Sequence, residues 1–125
     1  MTAIHPLWSF GVGDTFPISG TCTDGSGDVI DLTGAQLVEW KLETAPPSAP
    51  DDAWSPPTPT IVLDLTLSNG ITVTNATAGQ ISITITSAQS AALSPRRYRD
   101  QLRVITAAGN ESTQWVGFID VKRTF

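Results

Sequence analysis

The chain has 125 residues, of which 40% are hydrophobic and 15% charged, and it carries a formal net charge of −5. This length and composition predict a single domain, 1–125, with one buried core. The acidic balance argues against nucleic-acid binding, which relies on Lys and Arg. No apolar run reaches the ~20 residues that span a bilayer, so we expect no membrane partner.

The first thirteen residues can be interpreted in two ways. The segment 1–13 lacks the basic start and long apolar stretch of a secretory signal peptide, so we expect synthesis and folding in the cytoplasm. It carries Trp8 and Phe10 close together. It is either the first strand of the domain or an arm that packs on a neighbouring subunit.

Most of the remaining chain alternates between apolar and polar residues with a period of two. This alternation is typical of half-buried antiparallel strands. The segments that show it are 15–23, 36–43, 61–67, 81–86, 98–106 and 113–122. Turn residues separate them, including Asn69-Gly70, which is a strong hairpin signal. The sequence therefore predicts an all-β protein, an antiparallel β-sandwich.

A short helical turn is predicted at 87–93, which is followed by Pro95. Such a segment carries the chain from one sheet of a sandwich to the other. Tyr98 comes next, where a sandwich often places a tyrosine whose hydroxyl bonds to an upstream backbone group.

The segment 44–60 departs from the strand pattern. It contains six of the nine prolines, together with Asp51, Asp52 and Trp54. Because proline cannot donate to a sheet ladder, we expect a long inserted loop between two strands. Trp54 either makes an intermolecular contact or folds back over the domain's own core.

Charge is distributed unevenly along the chain. Residues 1–64 have a net charge of −8 and residues 65–125 a net charge of +3. Arg96, Arg97, Arg99 and Arg103 lie close together. Either acidic and basic strands become neighbours in the folded domain, or the molecule has one acidic and one basic face suited to head-to-tail association.

Residues for catalysis are scarce. His5 is the only histidine and Cys22 the only cysteine, and no phosphate-binding glycine motif or serine elbow is present. Asp24, Ser26 and Asp28 alternate like the first calcium ligands of an EF-hand, but Val29 and Ala35 stand where glycine and glutamate are needed. We expect a non-enzymatic protein without cofactor or metal, in which Cys22 is a buried apolar residue.

The order of several short motifs resembles immunoglobulin-like domains of structural proteins from tailed phages and prophages. That family includes the N-terminal domain of baseplate upper proteins and small head or tail adaptor and decoration proteins. The matching runs are Gly13-Asp14-Thr15-Phe16, Asp31-Leu32-Thr33-Gly34-Ala35, Val38-Glu39-Trp40-Lys41-Leu42, 67–74, 78–81, Leu93-Ser94-Pro95 with Tyr98, and 117–121. The resemblance implies an immunoglobulin-like sandwich of about seven strands.

The resemblance also implies a virion component that acts through contacts with other virion proteins or with itself as a homo-oligomer. The candidate contact residues are Trp8, Phe10, Asp51, Asp52, Trp54, Arg96, Arg97 and Arg99. The alternative is a carbohydrate-binding or adhesive β-sandwich, in which Trp54 and Trp115 stack on sugar rings.

Overall fold

The structure is a computed structural model that describes residues 3–5, 7–44 and 60–123. These residues form nine strands and one short helix. In chain order they are β1 (Ala3–Ile4), β2 (Trp8–Gly11), β3 (Phe16–Thr21), β4 (Leu37–Thr44), β5 (Ile61–Leu67), β6 (Gly70–Asn75), β7 (Gln80–Ile85), α1 (Ser87–Ala91), β8 (Arg96–Ile105) and β9 (Glu111–Lys122).

The strands form two layers around one core. A large sheet contains β1 and β2 beside β9, followed by β8, β4 and β5, and a small sheet contains β6, β7 and β3. The layers are joined where β5 and β6 pair over two residues only. Trp40 and Leu102 of the large sheet share a single buried cluster with Ile81 and Ile83 of the small sheet. The all-β immunoglobulin-like sandwich is thereby confirmed.

The strand count and pairing differ from the prediction in two places. The N-terminal segment contributes two strands, and both pair with β9 in parallel. The turn at Asn69-Gly70 does not close an antiparallel hairpin, because β6 leaves the large sheet and pairs antiparallel with β7 instead. The described residues therefore contain nine strands, rather than about seven.

The helical turn lies where it was predicted. The Thr86 hydroxyl accepts from the Gln89 backbone and the Gln89 side chain accepts from the Thr86 backbone, which is a reciprocal cap at the helix start. After the turn, the Tyr98 hydroxyl donates to the Ser94 carbonyl at 2.8 Å. This bond confirms the predicted role of Tyr98 and fixes the start of β8 against the crossover.

Candidate interaction surface

The inner side of β8 carries a charged residue in the middle of the core. Asp100 is fully buried. Its Oδ2 accepts from the indole nitrogens of Trp40 at 3.0 Å and Trp115 at 3.1 Å, and its Oδ1 lies 2.5 Å from Nε2 of His5. A buried carboxylate is tolerated only when hydrogen bonds replace its lost hydration, and three donors do so here.

Asp100 occupies a position with a known role in this architecture. In immunoglobulin domains, the tyrosine of the crossover lies two residues before a cysteine of the inter-sheet disulfide, which packs against a tryptophan. Tyr98 and Asp100 have this spacing, and Trp40 bonds to the carboxylate. Asp100 thus stands at the position of that cysteine, but its three hydrogen-bond partners all belong to the large sheet and its N-terminal strands. Sequence reasoning missed this residue, although it lies on the apolar side of β8 with Tyr98 and Leu102.

The N-terminal segment belongs to the domain's own core. Trp8 and Phe10 pair with Ile119 and Val121 of β9, and Phe10 is buried. The His5 ring stacks on Trp8 with centroids 3.6 Å apart. The segment is therefore the first strand of the sandwich. The expectation that Phe10 meets a partner is wrong, since its side chain packs inside this chain, and Trp8 is half-buried against the same core.

Two glycines make this arrangement possible. A Cβ at Gly117 would overlap the His5 ring, so only glycine lets the ring reach Asp100. A Cβ at Gly20 of β3 would lie 2.9 Å from the Trp115 ring. Trp115 therefore reaches from the large sheet to the small one and packs there. This position does not present Trp115 as an open platform for a sugar ring.

The outer face of the large sheet consists of the residues that point away from the core. Here Arg97 donates twice to Asp120, at 2.7 and 3.1 Å, and Arg103 lies between Glu111 at 2.9 Å and Glu39 at 3.3 Å. Acidic and basic residues are thus neighbours within one sheet, as in the first of the two alternatives. The described residues are not segregated into one acidic and one basic face.

The charges on this face also affect one another's protonation. The Arg97 guanidinium, through its hydrogen bonds, lowers the pKa of Asp120. Partial burial raises the pKa of Asp64, and the neighbouring Glu39 carboxylate raises it further.

One row across the outer face is different, and we name it the central row. It contains Leu7, Phe118, Arg99, Glu43 and Ile61, which lie side by side at the edge of β2 and on β9, β8, β4 and β5. Leu7, Phe118 and Ile61 are 54%, 44% and 49% exposed. Arg99 and Glu43 are direct cross-strand neighbours, yet neither forms a hydrogen bond or ion pair with the described residues.

The other predicted contact residues are dispersed. The Arg96 guanidinium lies 5.6 Å from the centre of the Tyr98 ring. Asp51, Asp52 and Trp54 lie outside the described residues. The ends of the inserted loop are close together, because the Thr44 backbone nitrogen donates to the Thr60 carbonyl at 2.9 Å.

The turn with alternating acids is held by its own hydrogen bonds. The Asp24 carboxylate accepts from the backbone nitrogens of Ser26 and Asp28. Among the described residues, no group of three His, Cys, Asp or Glu side chains could hold a metal ion. The same part of the chain contains no helix long and apolar enough to cross a membrane.

Comparison with known proteins gives matches among solved structures alone. No protein-family model and no curated protein matches the chain. Among solved structures, a structure of murine CRIg is similar at 12% identity over 95% of this chain and 92% of that chain, with a TM-score of 0.43.

Proposed function

We propose that this chain is a non-enzymatic structural protein of a tailed-phage or prophage particle, an adaptor or decoration protein that acts through protein–protein contacts. The order of the motifs from Gly13 to Val121, which resembles virion immunoglobulin-like domains, supports the class of protein. The central row supports the mode of action.

The central row is the single observation that carries the proposal. Of the large hydrophobic residues exposed in the described part of the chain, only Val29 lies outside it. In this row the charged pair lies between exposed large apolar side chains, and such apolar side chains are typical of surfaces that other proteins cover. A pair of opposite charges that forms no ion pair with the described residues adds specificity to such a surface.

The first experiment asks whether the chain is part of a particle. Particles are purified on density gradients from cells in which the genome that encodes the chain is induced, and their proteins are quantified by mass spectrometry. We expect the chain at a fixed ratio to the major particle proteins. Its absence from intact particles would overturn the proposal.

A pair of matched variants then tests the surface. A deletion of the gene is complemented with wild type, Phe118→Asp or Val29→Asp. Both substitutions place a carboxylate at an exposed apolar position, so both chains should fold. We expect wild type and Val29→Asp to enter particles and Phe118→Asp to be lost from them. Equal incorporation of both variants would mean that the outer face is not the contact.

Glycan binding is the competing proposal, and it would then rest on Trp54, since Trp115 packs between the sheets. Saturable binding to a glycan, with a change in tryptophan fluorescence that Trp54→Ala removes, would favour it over the virion role.

A further inference from the structure

We infer that the outer face of the large sheet binds a second copy of the same face, with a twofold axis parallel to the strands and between β8 and β4. The inference deepens the proposed function by naming one partner, and it rests on the chain acting through protein contacts. Its basis is the order of side chains along the central row.

The central row is complementary to its own reverse. Across the sheet it runs Phe118, Arg99, Glu43, Ile61 on the neighbouring strands β9, β8, β4 and β5. A twofold axis between Arg99 and Glu43 reverses this order in the second copy. Arg99 then faces the second copy's Glu43, and Phe118 faces the second copy's Ile61. Each charge meets the opposite charge, and each apolar side chain meets another.

The flanking rows agree with the same axis. On β8 the outward residues include Arg97, Arg99 and Arg103, whereas those on β4 include Glu39 and Glu43. Reversal about an axis between these strands lays the cationic strand of one copy over the anionic strand of the other. Arg103 faces the second copy's Glu39, which extends the complementarity by one further pair.

Lys41 is the exception on the acidic strand, and its surroundings limit its effect. Its ammonium group lies 3.6 Å from Glu39, and its cross-strand neighbour on β8 is the uncharged Gln101. In the reversed arrangement Lys41 faces the second copy's Gln101. The axis therefore brings no two cations on β4 and β8 together.

The available area is sufficient for a specific but modest dimer. An axis between β8 and β4 overlaps the four strands β9, β8, β4 and β5 at about 4.8 Å each, and β4 and β8 pair over eight residues of about 3.3 Å each, which gives about 500 Å² per copy. A dimer would bury about 1,000 Å², the minimum for a specific interface and typical of weak association. An isologous contact pairs the face with the same face of the second copy, so self-association through it stops at the dimer.

The test is a charge exchange followed by sedimentation. Purified wild type, Arg99→Glu, Glu43→Arg and the double variant Arg99→Glu/Glu43→Arg are compared by sedimentation equilibrium over a range of protein concentrations. Each single variant turns two symmetry-related attractions into repulsions, so we expect at least a ~100-fold weaker dimer. The double variant restores both pairs and should dimerise within ~10-fold of wild type.

Two further variants separate association from folding. Phe118→Asp should be monomeric, and Val29→Asp, equally exposed but away from the face, should dimerise like wild type. Thermal unfolding of each variant at a concentration where all are monomers identifies any damage to the fold itself. A wild type that remains monomeric at millimolar concentration, or a double variant no better than the singles, would overturn the inference.

The outcomes also distinguish this inference from the proposed function. A monomeric wild type that enters particles refutes the dimer and leaves the virion role standing. A wild type that dimerises in solution but is absent from particles supports the dimer and refutes the virion role.

Discussion

Asp100 and Arg99 are consecutive residues of β8, and their side chains lie on opposite sides of the large sheet. Asp100 is fully buried and has three hydrogen-bond donors around its carboxylate, from His5, Trp40 and Trp115. Arg99 is half-buried on the outer face, with no hydrogen bond or ion pair to the described residues. The inner charge is matched by hydrogen bonds within the chain, whereas the outer one has no ion-pair partner among the described residues.

Substitutions on the two sides of β8 should therefore change two different quantities, the free energy of unfolding and the strength of association. Substitutions on the inner side should change the free energy of unfolding, because they leave buried polar groups without partners. Substitutions in the central row should change association and leave the stability of the monomer almost unaltered.

The largest effect is expected for Asp100→Ala. The substitution leaves the indole nitrogens of Trp40 and Trp115, together with His5, without their acceptor. We expect a loss of about 3–5 kcal/mol in the free energy of unfolding, measured by urea denaturation. If that variant does not fold, Asp100→Asn keeps the size and one acceptor oxygen and should lose less.

The matched control for Asp100 is its neighbour. Arg99→Ala should change the free energy of unfolding by no more than about 0.5 kcal/mol, because nothing in the described chain depends on it. Equal losses at the two positions would contradict the division between inner and outer sides.

A smaller effect is expected for Gly117→Ala. The new methyl group overlaps the His5 ring and pushes it away from Asp100, so we expect a loss of about 1–3 kcal/mol by urea denaturation. In a His5→Ala background the ring is gone, and the same glycine substitution should cost much less. Additive effects of the two substitutions would mean that the ring does not occupy this space.

Much of this fold follows from the sequence because alternation reports which side of a strand is buried. The alternation of β8 and the turn before Pro95 predicted the strand, the crossover and the Tyr98 bond. The same alternation put Asp100 on the inner side, but its donors could not be predicted. His5 and Asp100 are 95 residues apart in sequence, and only the parallel pairing of β1 and β2 with β9 brings them together.

On the outer face, the sequence pattern did not predict which charged residues form ion pairs. Arg97 and Arg99 have the same sequence pattern, yet Arg97 pairs with Asp120 and Arg99 forms no ion pair in the part of the chain that the structure describes. Which arginine finds a carboxylate depends on the register between β8 and β9. The central row likewise depends on the register of its strands, so the sequence alone predicted arginines as contacts without Phe118, Glu43 or Ile61.

The smallest effect concerns Cys22, which lies on the inner side of the small sheet's edge and is fully buried. Burial raises the pKa of its thiol from 9.0 to about 11, because the thiolate would lose its hydration. The native thiol should therefore react with Ellman's reagent at about pH 8 at least ~100-fold more slowly than in urea. The same shift leaves stability unchanged below pH 9.0 and lowers it between there and about pH 11, since the unfolded chain releases a proton that the folded chain retains. Equal reaction rates with and without urea would contradict the burial of Cys22, and with it the closed interior on which the contrast between the two sides of β8 depends.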